Sequence, residues 1–241
     1  MSDMAGTETS LLASLPNGFR AAVIGASGGI GSAICECLQN EPHLGELIAF
    51  SRSRDGLDFA DETSVADAAG SISAKPIHLL ICATGILTTD GRGPEKSLRQ
   101  LDPETMMAQF RTNAVGPALV AKHFLPLFDR ETRSIAAFLS ARVGSIGDNR
   151  LGGWVSYRSA KAALNQIVRT VSIEYGRTHP AAVVTAIHPG TVRTGLSDPY
   201  SRGHNTVSPE QAAASILSTL NSLAPENSGS FVAYDGSSIP W

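Results

Sequence analysis

Tyr157 and Lys161 stand four residues apart in the stretch Tyr157-Arg158-Ser159-Ala160-Lys161. On a helix that spacing puts both side chains on one face, one turn apart. An ammonium beside a phenol favours the phenolate, so Lys161 is expected to draw the Tyr157 pKa down from its usual value near ~10. A phenol poised in this way can give or take a proton at cellular pH. A tyrosine and a lysine also meet at this spacing by chance, so the pair gains meaning only from the elements that hold it.

Those elements can be read around it. Leu164, Ile167, Val168 and Val171 continue the apolar face of a helix to about Gly176. Upstream, residues 135–139 (IAAFL) are a short apolar run ending in Ser140, the pattern of a buried parallel strand with a hydroxyl at its carboxyl end. A strand end beside a helix start is where open α/β sheets place their chemistry.

Taken in order, the chain supplies the rest of such a sheet. Residues 20–24 read as a first strand, running into Gly25, Ser27, Gly28, Gly29, Ile30 and Gly31, with a helix to about Asn40. Glycines at such a turn let the backbone approach a pyrophosphate seated on the helix N-terminus. The spacing is G-x-x-x-G-x-G rather than G-x-G-x-x-G, and a plain flexible turn is the alternative. Residues 46–50 form a second strand, followed by Ser51 and Arg52, with no acid before Asp55. An acid there would bond the ribose 2′-hydroxyl of NAD, whereas an arginine accommodates the 2′-phosphate of NADP. NADP(H) is therefore favoured over NAD(H), with a solvated loop cation as the bland reading of Arg52. Asp58 and Phe59 are candidates for adenine contact, and Asp61 for capping a helix over residues 62–73. A third strand, residues 77–83, ends in Ala83-Thr84-Gly85, where Gly85 lets the backbone lie flat against a cofactor. The loop over residues 87–95 could rim a site. A helix is expected over residues 103–128, carrying Asn113 and Pro117. Proline cannot bond the carbonyl four residues back, so Asn113 either offers a free carbonyl to a water or marks a structural kink. Another strand, residues 182–187, ends in His188, Pro189, Gly190, Val192 and Thr194. A lone histidine at a strand end reads as structural. The polar segment 195–208 is short for a lid, Ser208 and Pro209 open a last helix, and residues 229–234 form a last strand. Trp241 is expected to pack on its own subunit or on a neighbour.

The predicted class is α/β: a Rossmann-type doubly wound parallel sheet of about seven strands, as one domain over residues 16–241 behind a flexible tail over 1–15. With 42% hydrophobic and 17% charged residues in 241, the chain is that of an ordinary folded domain. A net charge of −3 without any dense basic run argues against nucleic acid or an anionic membrane as partner. Cys35, Cys37 and Cys82 show neither zinc spacing nor an even number for disulfides, so no metal is expected and a reducing cytoplasm fits. No apolar run is long enough to span a membrane.

Together these residues resemble the short-chain dehydrogenase/reductase family, from about residue 20 to 235. Gly25, Gly29 and Gly31 match its glycine loop, Ala83 and Gly85 its N-N-A-G strand, and Asn113 its helix asparagine. Tyr157 and Lys161 match its catalytic pair, and Pro189, Gly190, Val192 and Thr194 its nicotinamide loop. LSARVGSI, YRSAKAALN and YDGSSIPW look most like the small C-factor and sniffer-type carbonyl reductases. The resemblance implies hydride transfer between a nicotinamide and a small carbonyl or alcohol substrate. Tyr157 would be the acid, Lys161 its electrostatic partner and ribose ligand, Asn113 the holder of a relay water, and Ser140 or Ser145 the donor to the substrate oxygen. It also implies a homodimer or homotetramer. Three departures stand out. Ile24 replaces a threonine, Cys82 replaces an asparagine, and the strand ends Ser140-Ala141 rather than Ser-Ser, so Ala141 occupies the slot of the second, catalytic serine. Ser140 is the better candidate. A nucleotide-binding signalling protein that has lost catalysis, or an NAD-linked alcohol dehydrogenase, are the alternatives.

Overall fold

The computed structural model describes residues 10–200 and 205–241. Six apolar segments become six parallel strands: β1 (Phe19–Ile24), β2 (Leu44–Phe50), β3 (Leu79–Cys82), β4 (Ser134–Leu139), β5 (Ala182–His188) and β6 (Phe231–Ala233). They lie in the order β2-β1-β3-β4-β5-β6. The described residues therefore carry six strands against the about seven expected. Each pair of successive strands is joined through at least one helix, which makes the crossovers parallel, and the helices fall on both faces.

One face is covered by α1 (Gly29–Gln39) and α7 (Pro209–Ser222), through Ile34 and Leu38 of the first and Ile216 and Leu220 of the second. The short α2 (Arg52–Asp55) follows β2. The other face is covered by α3 (Glu62–Ser71), α5 (Gly116–Phe124) and α6 (Val155–Gly176), through Val65, Phe124, Leu164 and Val168. α4 (Pro103–Phe110) precedes α5. Large apolar side chains buried in these layers, such as Phe138 and Ile81, each contribute about 1.5–3 kcal/mol by leaving water. Strand order reverses between β1 and β3, and the crevice above that reversal is where such sheets hold ligands.

Two expectations are corrected. Residues 11–15 are not a loose tail: Leu12 and Leu15 are buried in the α1–α7 layer, and Glu41 accepts from the Leu11 N–H at 2.9 Å. Two leucines without a periodic neighbour carry no helix or strand signal, yet they seal the end of a layer. Residues 1–9 lie outside the described region. The helix expected over 103–128 is divided into α4, a π-helical turn at Arg111–Val115, α5 and a 3₁₀ turn at Leu125–Leu127. Asp61 caps α3 by accepting from the Thr63 N–H, and Ser208 and Gln211 form a reciprocal capping box on α7, as the residue types suggested.

Candidate active site

The first cavity, about 370 Å³, opens over the β1–β3 reversal and is lined by Gly25, Ser27 and Gly28, by Ser51 and Arg52, by Asp58 and Phe59, and by Ala83 and Gly85. Gly25 takes φ +88°, a left-handed turn that ends β1. At Gly31 a Cβ would collide with the Gly25 carbonyl, so the helix can start close to the strand only because that residue is glycine. Asp55 does not face the cavity as an acid. It accepts from the Ser51 N–H at 2.7 Å and the Ser51 hydroxyl at 3.2 Å, leaving Arg52 exposed on the lining with no ion pair among the described residues. Arg111 and Thr112 also line this cavity. They went unread because they stand on the π-turn, which breaks the 3.6 period.

The second cavity, about 420 Å³, lies on the other side of the glycine loop. Ile30, Tyr157, Pro189, Gly190, Val192 and Thr194 line it, with Ser140, Ala141 and His188. Gly29 sits between the two, packed so closely that a Cβ there would lie 2.7 Å from Thr194 Cγ2. Most of the sequence-derived residues thus line one or other of two cavities at the carboxyl ends of the strands, while Gly29, Gly31, Asn113 and Lys161 line neither.

Tyr157 and Lys161 lie on successive turns of α6, 8% and 3% exposed. Lys161 Nζ donates to the Leu139 carbonyl at 2.9 Å and stands 5.9 Å from the Tyr157 ring centroid. Here the electrostatic expectation reverses. Burial pushes the Tyr157 phenol well above its usual range, and burial pulls the Lys161 ammonium down to about 8. The ammonium is turned to a carbonyl, and loss of solvent outweighs its attraction for a phenolate. Tyr157 therefore holds its proton. Gly85, Asn113 and Lys161 converge: a Cβ at Gly85 would lie 3.2 Å from Asn113 Oδ1 and 3.6 Å from Lys161 Nζ.

Asn113 is fully buried in the π-turn. Its side chain clamps one residue, accepting from the Ile86 N–H at 3.0 Å and donating to the Ile86 carbonyl at 2.9 Å. Nδ2 also donates to Gln109 Oε1 at 2.7 Å, so Gln109, which the sequence reading passed over, orients Asn113 from one turn back.

Neither candidate serine presents an uncommitted hydroxyl. Ser145 donates to the Pro240 carbonyl and accepts from the Asp148 N–H, which ties the 145–148 turn to the C-terminal segment. Trp241 stacks on Phe231 in the same chain, ring centroids 5.7 Å apart. Ser140 donates to Asn165 Oδ1 at 2.6 Å, while Asn165 Nδ2 is buried without a partner among the described residues. Ala141 stands beside them on the cavity wall. His188 also reaches the wall; burial drops its imidazole to about 4, so it is neutral, and its buried Nδ1 has no partner.

The start of α6 holds residues that sequence reading missed. Trp154 takes φ +53° and packs edge-on against Tyr157 and Tyr200, at centroid separations of 6.3 and 5.6 Å. Glu95, 5% exposed, accepts from the Ser156 hydroxyl and, at 3.3 Å, from the Ser156 N–H. A carboxylate from a distant loop thus caps the helix that carries Tyr157. Only the lone Trp154 after two glycines hinted at it.

The linings of the two cavities suit a dinucleotide: glycine backbone at a helix N-terminus, a cation at the end of β2, and a Pro-Gly turn beside a buried phenol. Residues 55–205 match the family described as short chain dehydrogenase. The chain belongs to that family. It is an oxidoreductase of this fold, and its relatives span most of it. It is 31% identical over 188 residues to 1-hydroxy-2-glutathionyl-2-methyl-3-butene dehydrogenase of Rhodococcus sp. strain AD45, covering 77% of this chain and 79% of that one. It is 32% identical to the C-signal of Myxococcus xanthus, covering 72% of this chain and 98% of that one. The NADPH-bound carbonyl reductase from chicken fatty liver superposes with a TM-score of 0.80 at 22% identity, over 94% of this chain and 95% of that one. No described helix is long and apolar enough to cross a membrane.

Proposed function

We propose that this enzyme is an NADP(H)-dependent carbonyl reductase acting on small aldehydes or ketones, with Tyr157 as general acid. The observation that carries the reading is a buried phenol, held protonated, on the wall of a largely apolar cavity contiguous with the glycine loop. The glycine turn, Ser51 and Arg52 hold the adenosine end of the cofactor, and Pro189, Gly190, Val192 and Thr194 its nicotinamide end. When bound, the nicotinamide supplies the hydride. Tyr157 gives its proton to the substrate oxygen as charge develops there. The Lys161 ammonium stabilises the phenolate left behind and bonds the nicotinamide ribose. The Asn113 carbonyl, which Pro117 cannot bond, holds the water that returns the proton. Ser140 serves the substrate oxygen if the Asn165 amide is turned about, so that its orphaned Nδ2 donates to Ser140 Oγ and frees the hydroxyl proton; amide orientation follows the hydrogen-bond network. The NADPH-bound carbonyl reductase of the same fold supports the cofactor and the reaction type.

The exposed Met107, Val115 and Ile173 on the helical face support self-association as a homodimer or homotetramer, and three unpaired cysteines support a cytoplasmic location. Replacing Tyr157 by Phe tests the mechanism. Binding of NADPH should persist while turnover falls by about two to four orders of magnitude; full turnover by that variant sinks the proposal. A fluorescence titration with NADPH and NADH tests the cofactor assignment, and tighter NADH binding would overturn it.

A second reading has its own observation. Ala141 fills the catalytic-serine slot and Ser140 is engaged by Asn165, which favours a cofactor-binding signalling protein without turnover, in line with the likeness to C-signal. It predicts NADPH binding with no carbonyl reduced at all.

A further inference from the structure

We propose that the cavity beside Tyr157 selects carbonyl substrates bearing a carboxylate, and that Arg158 is the residue that reads it. The inference rests on the carbonyl-reductase reading and adds the substrate class. The cavity walls are mainly apolar and aromatic, with Leu87, Val143, Trp154 and Tyr200 facing in, but its charged lining is one-sided. Arg142, Arg150 and Arg158 contribute three guanidiniums against the single carboxylate of Asp148. That carboxylate is already taken by Arg142, Nε to Oδ2 at 2.6 Å.

Arg158 is the distinctive member. Its Nε donates to the Gly153 carbonyl at 3.0 Å and its Nη1 to the Val143 carbonyl at 3.2 Å, so the fork is fixed in place while Nη2 bonds nothing among the described residues. It is partly buried, and burial lowers its pKa, yet it makes no ion pair among the described residues. It also stands in the opening turns of α6, where the helix dipole disfavours a cation. Glu95, the carboxylate at that helix end, is committed to Ser156. A half-buried cation without an anion is costly, and an arriving carboxylate would relieve the cost. Guanidinium matches a planar carboxylate in shape as well as charge. Arg150, whose Nη1 bonds only the carbonyls of Gly147 and Asn149, adds positive potential at the mouth.

The test compares 4-carboxybenzaldehyde with its methyl ester, using NADPH and the full-length enzyme. The acid should be preferred in kcat/KM by roughly tenfold or more, and raising salt from about 0.05 M to about 0.5 M should erode that preference. Arg158→Gln should collapse the preference through the KM of the acid, and Arg158→Lys should keep part of it. An ester reduced as well as the acid overturns the inference and leaves the carbonyl-reductase reading standing. Reduction of neither removes both. Equal losses on acid and ester in Arg158→Gln, or a loss in NADPH affinity alone, would make Arg158 a staple or a cofactor ligand and overturn the assignment.

Discussion

At the scale of single residues, burial governs the chemistry more than charge pairing does. Tyr157 keeps its proton because it is desolvated, and Lys161 is the group brought toward neutrality, to about 8. In the proposed mechanism, reduction needs a protonated phenol and a charged lysine beside the phenolate it leaves. Raising the pH through about 8 removes the lysine charge first, so the rate of carbonyl reduction should fall along a limb centred there. Lys161→Arg should lower the maximum rate and carry the limb upward, since a guanidinium stays charged; a limb that does not move would show that Lys161 is not the titrating group. Arg52 offers a second check. It lines the first cavity with no carboxylate to hold it among the described residues, so on the proposed cofactor assignment Arg52→Ala should weaken NADPH by roughly ten- to a hundredfold and NADH little, read by fluorescence titration. These residues were legible because each follows a strand or opens a helix within a few positions of the next. Glu95 and Gln109 were not, because their partners Ser156 and Asn113 are brought to them by the fold or by one buried turn, and neither pair resembles a motif.

At the scale of elements, the π-turn at Arg111–Val115 is the part of the site that a helical period could not reveal. Pro117 signalled a missing bond at Asn113 but not that the helix would widen to accommodate it. Beside the widening, Arg111 and Thr112 line the first cavity, and Gly116 sits directly against the Phe59 ring. A Cβ at Gly116 would overlap that ring. Gly116→Ala should therefore push Phe59 into the adenosine cavity. Overpacking of this kind costs about 1–3 kcal/mol, and here part of the loss should surface as weaker NADPH binding, measured beside the thermal midpoint. A variant that loses stability but binds NADPH normally would place Phe59 outside the adenosine contact. Strands β1, β4 and β5, by contrast, were legible almost end to end, since buried parallel strands are continuous apolar runs closed by glycine, serine or proline, whereas β3 and β6 are shorter than the expected 77–83 and 229–234.

At the scale of the whole molecule, motifs scattered along the chain meet at the carboxyl ends of the strands, where β5 closes at His188 between β4 and β6. Its backbone is part of the sheet, with the Tyr234 N–H donating to its carbonyl at 2.8 Å, while its imidazole is largely desolvated and held neutral, down to about 4 from 6.5. Desolvation is the main cause; the Arg142 charge adds to it and Asp235 opposes it. The folded state thus binds fewer protons than the unfolded chain between those two values. Stability is fully present above the unfolded pKa and is lost as pH falls toward the folded one, by on the order of 3 kcal/mol from this residue. His78 and His179 shift in the same direction, so wild-type stability should slope downward across the whole window. Glu62, Asp102, Asp129, Asp148, Glu210 and Asp235 also have lowered pKa values and add to the loss only below about pH 5, so the part of the window above that belongs to the histidines. His188→Gln should flatten the slope measured by urea unfolding between about pH 6.5 and about pH 4, whatever it does to stability at neutral pH. An unchanged slope would mean that the imidazole finds solvent or a partner in solution, and that His188 is available to the cavity as a charged group.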